Sequence, residues 1–307
     1  MTDAPLISII TPCLNRAELV GSAIESVLRQ GYPKIEHIII DGGSTDGTLD
    51  VLRCYPQLSV SSEPDGGVYD GFNKGIDRAK GEIIGILNSD DLYEPDVFDK
   101  AVKQFTDNPE IDAVLGMADL FEESVPGART VVARYDFFKD ENFLSQPGTL
   151  SSPAINAHFF RRRVFSRFGQ FDLRYRLAAD IDFFLRLIAG GIRHTSLGQV
   201  TYHYRLHPGS LTLSGTDYIM RKEAAAEQLT LAERFLGDQN LSLEVMNACR
   251  KWHTKISMDF AGHSLRRKHP VEAVAIMLRG ARHDLLWPLR FIGHTFSYVT
   301  DKETDGR

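Results

Sequence analysis

The chain has 307 residues, 43% of them hydrophobic and 25% charged, with a formal net charge of −6. That balance belongs to a folded globular protein, excludes a disordered or fibrous chain, and gives no basic footprint for a nucleic-acid partner. Three cysteines, Cys13, Cys54 and Cys249, are too few and too scattered for a disulfide framework or a zinc site, so all three read as packing residues in a reducing cytoplasm.

No stretch reaches the roughly 18 uninterrupted apolar residues of a membrane span, and no basic segment with an apolar run opens the chain, so the expected location is the cytosol. Residues 6–11 read as a first strand. Asn15 is then placed to cap a helix, with Glu18 as its capping-box partner, and Leu19, Val20, Ala23, Ile24, Val27 and Leu28 recur at helical spacing. The loop between has no glycine, so the dinucleotide fingerprint of a nicotinamide enzyme is absent.

A second strand, residues 35–40, runs into Asp41-Gly42-Gly43-Ser44-Thr45-Asp46-Gly47-Thr48. Glycines there let the backbone approach a ligand, and Ser44 or Thr45 is placed to cap the next helix. Asp41 stands at the strand's carboxyl end, where an acid can accept hydrogen bonds from a nucleoside. A turn with a helix cap explains the glycines and Ser44 equally well, but it leaves Asp41 unexplained.

A short strand at 58–61, the loop at 63–75 and a helix ending near Lys80-Gly81 lead to an apolar run at 83–87, followed by Asn88-Ser89-Asp90-Asp91. Adjacent carboxylates repel and are costly to desolvate. This polar strand end is therefore either a solvated turn or a hard-cation site for Mg²⁺ or Mn²⁺. Strand and helix have alternated four times at short spacing, which predicts an α/β fold with a parallel, doubly wound sheet. Pro95 opens another helix through about Phe105. Strands follow at 111–117 and 129–135, with loops over the site between them.

The segments Ser8-Ile9-Ile10-Thr11-Pro12 with Asn15-Arg16, Asp41 to Thr48 as quoted, Asn73-Lys74-Gly75 and Asn88-Ser89-Asp90-Asp91, in that order and spacing, resemble the family 2 glycosyltransferases of the GT-A fold. The resemblance implies a Rossmann-like, mostly parallel central sheet flanked by helices. It implies that Thr11, Pro12, Asn15, Arg16, Asp41, Gly43, Asn73 and Lys74 bind a nucleotide-sugar donor. Asp91 would ligate Mn²⁺ or Mg²⁺, and Asp90 would meet either the ion or the ribose. The Asp-X-Asp form of the wider fold is not strictly present, so which carboxylate touches the ion stays open.

Residues 155–162, 168–172 and 178–187 resemble the same family. Asp180, at the start of a helix whose dipole favours a carboxylate, corresponds there to the general base of an inverting transfer. Asp182 lies four residues before Arg186 and has a structural explanation as its ion-pair partner. After a strand near 198–202, Arg205-Leu206-His207 is similar to an Arg-X-His loop that closes on the diphosphate, which makes His207 a metal ligand or phosphate contact. His158 and Arg205 are assigned to the acceptor side, with a hydrogen-bonded core residue as the other reading of His158.

Residues 1–216 are thus expected to form the donor-binding and catalytic domain, and 217–307 a helical C-terminal extension with helices at 218–236, 243–263 and 271–279. Between Arg250 and Arg290 the net charge is +6, with four histidines besides. The apolar segment Leu285-Leu286-Trp287-Pro288-Leu289-Arg290-Phe291-Ile292 is either an interfacial helix on an anionic membrane or a set of aromatics packed on the catalytic domain or a second subunit. Peripheral membrane contact and a homodimer both remain open.

The function implied is an inverting, metal-dependent transfer of a sugar, UDP-linked by expectation, to a glycan or lipid-linked acceptor in bacterial polysaccharide synthesis. A sugar-1-phosphate nucleotidyltransferase would carry a Gly-rich basic loop after the first strand, where residues 12–16 supply none. A non-catalytic glycan-binding scaffold would not need Asp41, Asp90, Asp91 and Asp180 together.

Overall fold

The computed structural model describes residues 4–125, 127–136, 154–207 and 222–289. The chain divides into two compact units, one of Met1–Glu141 with Pro153–Ser214, the other of Asn142–Ser152 with Gly215–Arg307.

The first unit begins with β1 (Ile7–Cys13), α1 (Val20–Leu28), β2 (Ile35–Asp41), α2 (Thr48–Arg53), β3 (Ser59–Ser62), α3 (Val68–Arg78) and β4 (Ile83–Ile86). Every residue of β1 and of β4 is buried, as expected of parallel strands covered on both faces. The parallel ladder runs β3-β2-β1-β4. Its register pairs Cys13 with Asp41 and Asp41 with Ser62, so three carboxyl ends share one edge. Ile10 pairs with Ile86, which brings the residues after β4 to the same edge. α3 lies close on β1 because Gly75 and Gly71 carry no side chain. A Cβ on Gly75 would stand 2.2 Å from Ile10 Cγ2, and one on Gly71 would stand 2.7 Å from Pro12 Cβ.

The rest of the sheet is mixed. β5 (Leu92–Tyr93), α4 (Val97–Asp107), β6 (Ala113–Val125), β7 (Ala128–Tyr135), a 3-10 turn (Ile155–Ala157), β8 (Phe159–Arg161), α5 (Arg163–Phe168), α6 (Ala179–Ala189) and β9 (His194–Leu206) follow. The order is β3-β2-β1-β4-β8-β6-β9-β5, with β7 on β6, nine strands among the described residues. β8 runs antiparallel to both β4 and β6, whereas β6 and β9 are parallel. Two expectations change here. The stretch after Met117 is not a loop over the site but a continuation of β6, which turns at Gly127 (φ +85°) into β7. The Arg205 stretch is likewise strand, because β9 extends to Leu206.

His37 sits in the middle of β2, buried, opposite Ile9. Its Nε2 lies 2.9 Å from the Thr11 hydroxyl. Burial lowers the imidazole pKa from 6.5 to about 3, so the folded chain holds it neutral while the unfolded chain protonates near 6.5. The sign follows: His37 costs nothing above pH 6.5, and stability falls as pH drops from there towards 3. At pH 5 the loss amounts to about 2 kcal/mol. We expect His37→Gln to remove about that much of the stability difference between pH 7 and pH 5, measured by denaturant unfolding; an unchanged difference would show that the imidazole is not held neutral.

The second unit holds α7 (Lys222–Leu236), α8 (Leu243–Arg266) and α9 (Pro270–His283). Ser242 caps α8, its Oγ accepting from Val245 N at 3.3 Å. Glu233 of α7 accepts from Arg279 Nε at 2.5 Å and Nη2 at 2.7 Å and lies 3.2 Å from His253 Nε2, so it joins all three helices. His283 completes a group of metal-ligand type, but Arg279 already holds both Glu233 oxygens. Trp287 is buried and donates from Nε1 to Ser257 Oγ of α8 at 2.6 Å. A ring buried in this way is not a headgroup-level anchor. Phe291 and Ile292 lie outside the described residues. Of the cysteines, Cys13 and Cys249 are buried, with thiols pushed up to about 12 by burial, while Cys54 is exposed and does not pack.

Candidate active site

The carboxyl edge of the sheet gathers residues from four strands. At the end of β2, Asp41 is fully buried. Its Oδ2 accepts from Gly43 N (3.1 Å), Ser44 N (3.0 Å) and Ser62 Oγ (2.6 Å), and Gly43 makes the turn possible with φ +90°. Asp41 Oδ1 is buried with no hydrogen-bond partner, a costly condition for a carboxylate oxygen and one that a ligand donor relieves.

The loops after β1 and β2 are tied to each other. Asn15, at φ +53°, donates from its backbone N to Ser44 Oγ at 2.7 Å and accepts at Oδ1 from Thr45 N at 2.8 Å. Arg16 N bonds Thr48 Oγ1 at 2.8 Å, and Ala17 N bonds Asp46 Oδ2 at 3.1 Å. The capping expectations give way to this arrangement. Asn15 does not cap α1, which starts five residues later. Neither Ser44 nor Thr45 caps α2, whose Thr48 N is met by Asp46 Oδ1 at 3.0 Å. Local side-chain acceptors were needed more for joining the loops than for ending the helices.

After β4, Asp91 is buried under three donors: Asn88 Nδ2 (2.8 Å) and Tyr202 Oη (2.9 Å) to Oδ2, and Arg205 N (2.8 Å) to Oδ1. Burial first, and then the charge of Asp90, push its pKa up to about 8 despite those donors. Asp90 is the more exposed of the two acids. Its Oδ2 lies 3.0 Å from His207 Nε2 and 3.4 Å from Arg16 Nε. The structure thus brings Asp90 against His207 and Arg16, with Asp91 beside it in the chain and buried.

Arg205 stands behind this pair rather than beyond it. Nε donates to the Asp90 carbonyl at 2.9 Å and Nη2 to Ser22 Oγ at 3.2 Å, and the guanidinium pairs with Glu123 above the Phe121 ring. His158 is fully buried, accepting at Nδ1 from Gly116 N at 3.3 Å and stacked on Phe184, which is the core-residue reading. Asn73 clamps the backbone of Phe171, donating from Nδ2 to its carbonyl at 2.8 Å and accepting from its N at 3.0 Å. Lys74 Nζ lies 3.3 Å from Asp70 and 3.3 Å from the Pro64 carbonyl. Thr11 is buried against His37, and Pro12 against Gly71.

Asp180 lies in the first turn of α6. The Tyr69 hydroxyl bonds it; burial, the Asp180 charge and that hydrogen bond hold Tyr69 protonated, well above the usual phenol range. Asp182 pairs with Arg186 at 2.8 Å, as its spacing predicts. Between the two acid positions lies a polar chain that sequence reading missed. Tyr202 Oη, bonded to Asp91, also accepts from Asn156 Nδ2 at 3.3 Å, and Tyr204 Oη donates to Asn156 Oδ1 at 3.4 Å. Burial, then the charges of Asp91 and Asp180, keep Tyr204 protonated. Tyr202 and Tyr204 are two apart on a strand and so share a face, the one signal that was available for them.

A partly parallel sheet with buried acids at its carboxyl edge defines the class: this is the GT-A architecture of glycosyltransferases. Two solved structures have this fold at low sequence identity. TarS 1-349 of S. aureus, in complex with UDP-GlcNAc, matches with TM-score 0.66 and 18% identity over 92% of this chain and 86% of that one. Mannosyltransferase PcManGT from Pyrobaculum calidifontis, in complex with GDP-Man and Mn²⁺, matches with TM-score 0.59 and 19% identity over 97% and 86%. A PGL/p-HBAD biosynthesis glycosyltransferase of Mycobacterium bovis is 33% identical over 189 residues, 60% of this chain and 70% of that protein. Residues 8–169 match the model of Glycosyl transferase family 2, and the chain belongs to that family. Membership sets aside the nucleotidyltransferase alternative. No helix among the described residues is long and apolar enough to cross a membrane.

Proposed function

We propose that the protein transfers a sugar from UDP to a hydroxyl of a glycan or lipid-linked acceptor, with inversion, in polysaccharide synthesis. The observation that carries this reading is the sheet edge where Asp90 meets His207 at 3.0 Å, next to the buried Asp91 in the chain and across β1 from the orphaned oxygen of Asp41. Among the described residues Asp90, Asp91 and His207 are not a preformed group of convergent ligand atoms, but two carboxylates and an imidazole are ligand types suited to Mn²⁺ or Mg²⁺. An Asp91 carboxyl raised to about 8 marks a place where positive charge is favoured. Asp90, Asp91 and His207 would hold the ion, which when bound supplies positive charge to the diphosphate leaving group.

The protein's own groups account for the rest. Asp41 Oδ1 accepts from the nucleobase. It is a single acceptor, which suits the one imide N–H of uracil better than the adjacent N–H groups of guanine. The acceptor oxygen bonds to the anomeric carbon as the bond to the diphosphate breaks on the opposite face, and the acceptor's proton passes to Asp180. Tyr69 orients Asp180 for that transfer. A thermal-shift series tests the donor: UDP and UDP-sugars with Mn²⁺ raise the unfolding temperature, GDP does not, and Asp41→Asn loses the UDP response. A response to GDP alone, or none to any nucleotide, would overturn the reading.

A further inference from the structure

The helical unit carries an apolar surface that its own core leaves uncovered. In α9, Ala273, Ile276 and Gly280 are buried. Val271, Val274 and Leu278 follow one another at spacings of three and four, and they stand outward, from 52% to 84% exposed. Leu285, Leu286 and Leu289 after the helix, and Leu265 at the end of α8, are exposed as well, Leu285 at 91%. Single exposed leucines need no explanation, but three apolar side chains on one helix face, with four more exposed in the flanking segments, do.

The charges beside the row have one sign. Arg267 and Lys268 are exposed before the start of α9, and Arg282 is exposed near its end. Of the two acids between Leu265 and Leu289, Glu272 pairs with Lys222 and accepts from Ser264, and Asp284 is buried with a bond from Thr254. A second copy of this chain is a poor cover for such a face. In a two-fold contact, Arg267 and Lys268 of one copy would meet either themselves or Arg282 of the other, like charges in both cases. A partner with an apolar layer beneath anionic groups satisfies both features.

We propose that this face of the helical unit docks on an anionic lipid bilayer. Val271, Val274, Leu278 and Leu285 enter the boundary of the acyl chains, while Arg267, Lys268 and Arg282 meet lipid phosphates. Trp287 takes no part, because it is buried against Gly280 and Ser257. The surface is independent of the donor site, so its test and that of the transferase reading fail separately.

The experiment is co-sedimentation of the full chain with phosphatidylcholine vesicles, with and without phosphatidylglycerol. Binding is expected only with phosphatidylglycerol, weakening as salt rises. Arg267→Gln, Lys268→Gln and Arg282→Gln together should lower the partition coefficient on the order of a hundredfold. Val274→Glu with Leu278→Glu should abolish binding, while the circular dichroism spectrum and unfolding temperature stay those of the parent. Equal binding to both vesicles, binding to neither, or unchanged binding by the variants would overturn the proposal. So would a dimer in solution that Leu278→Glu dissociates, which would assign the face to a second copy.

Discussion

Asp180→Asn is expected to bind donor as the parent does and to transfer sugar about 10²- to 10⁴-fold more slowly. Asparagine has the same shape, and its Oδ1 can still accept from the Tyr69 hydroxyl that bonds Asp180. It cannot take a proton. Calorimetry with the nucleotide sugar and single-turnover transfer separate binding from chemistry. A near-parental rate would remove Asp180 as the base, and loss of donor binding in parallel would reduce it to a positioning role. Asp182→Asn is the informative contrast. Asp182 is buried in its pair with Arg186, so its loss leaves a cation without its partner and lowers stability by about 3–5 kcal/mol. Two acids separated by one residue should thus fail in different ways, one in turnover and the other in folding.

Asp91→Asn is expected to cost at least about a hundredfold in nucleoside diphosphate affinity measured with Mn²⁺, and little without it. The substitution keeps volume while removing the ionisable carboxyl, whose charge burial and Asp90 disfavour until a cation compensates it. It also presents an amide NH₂ where a carboxylate oxygen accepts from Asn88, Tyr202 or Arg205, so some loss of stability accompanies it. Asp90→Asn, at the more open position, tests the division of labour: if Asp90 meets only the ribose, metal dependence survives. In the parent the sign of the pH effect follows from an Asp91 pKa of about 8. A proton occupies the carboxyl below that value and must leave before a cation enters, so apparent Mn²⁺ affinity rises with pH towards 8 and levels off above it. Metal-independent binding in Asp91→Asn equal to that of the parent with Mn²⁺ would place the ion elsewhere.

Much of this was written locally in the chain. The apolar runs of β1, β2 and β4 need only their own composition to be read as buried parallel strands. Asp41 and Asp91 stand at the ends of β2 and after β4 because acids are tolerated where a strand leaves the core, and the Asp182–Arg186 pair follows from helical spacing alone. The tertiary fold decided what those groups touch. Asn15 looked like a helix cap and is a bridge to Ser44 and Thr45, while Asn73 looked like a ligand contact and clamps Phe171, 98 residues away. Arg205 looked like part of a loop closing on the diphosphate and is strand, its backbone bonded to Asp91 across 114 positions. The Tyr202–Asn156–Tyr204 chain had no local pattern beyond two tyrosines on one face. The physical reason is common to all of them. Periodicity and strand ends reflect interactions between near neighbours, which composition carries, whereas a hydrogen-bond partner is chosen by the sheet register that sets one strand end beside another.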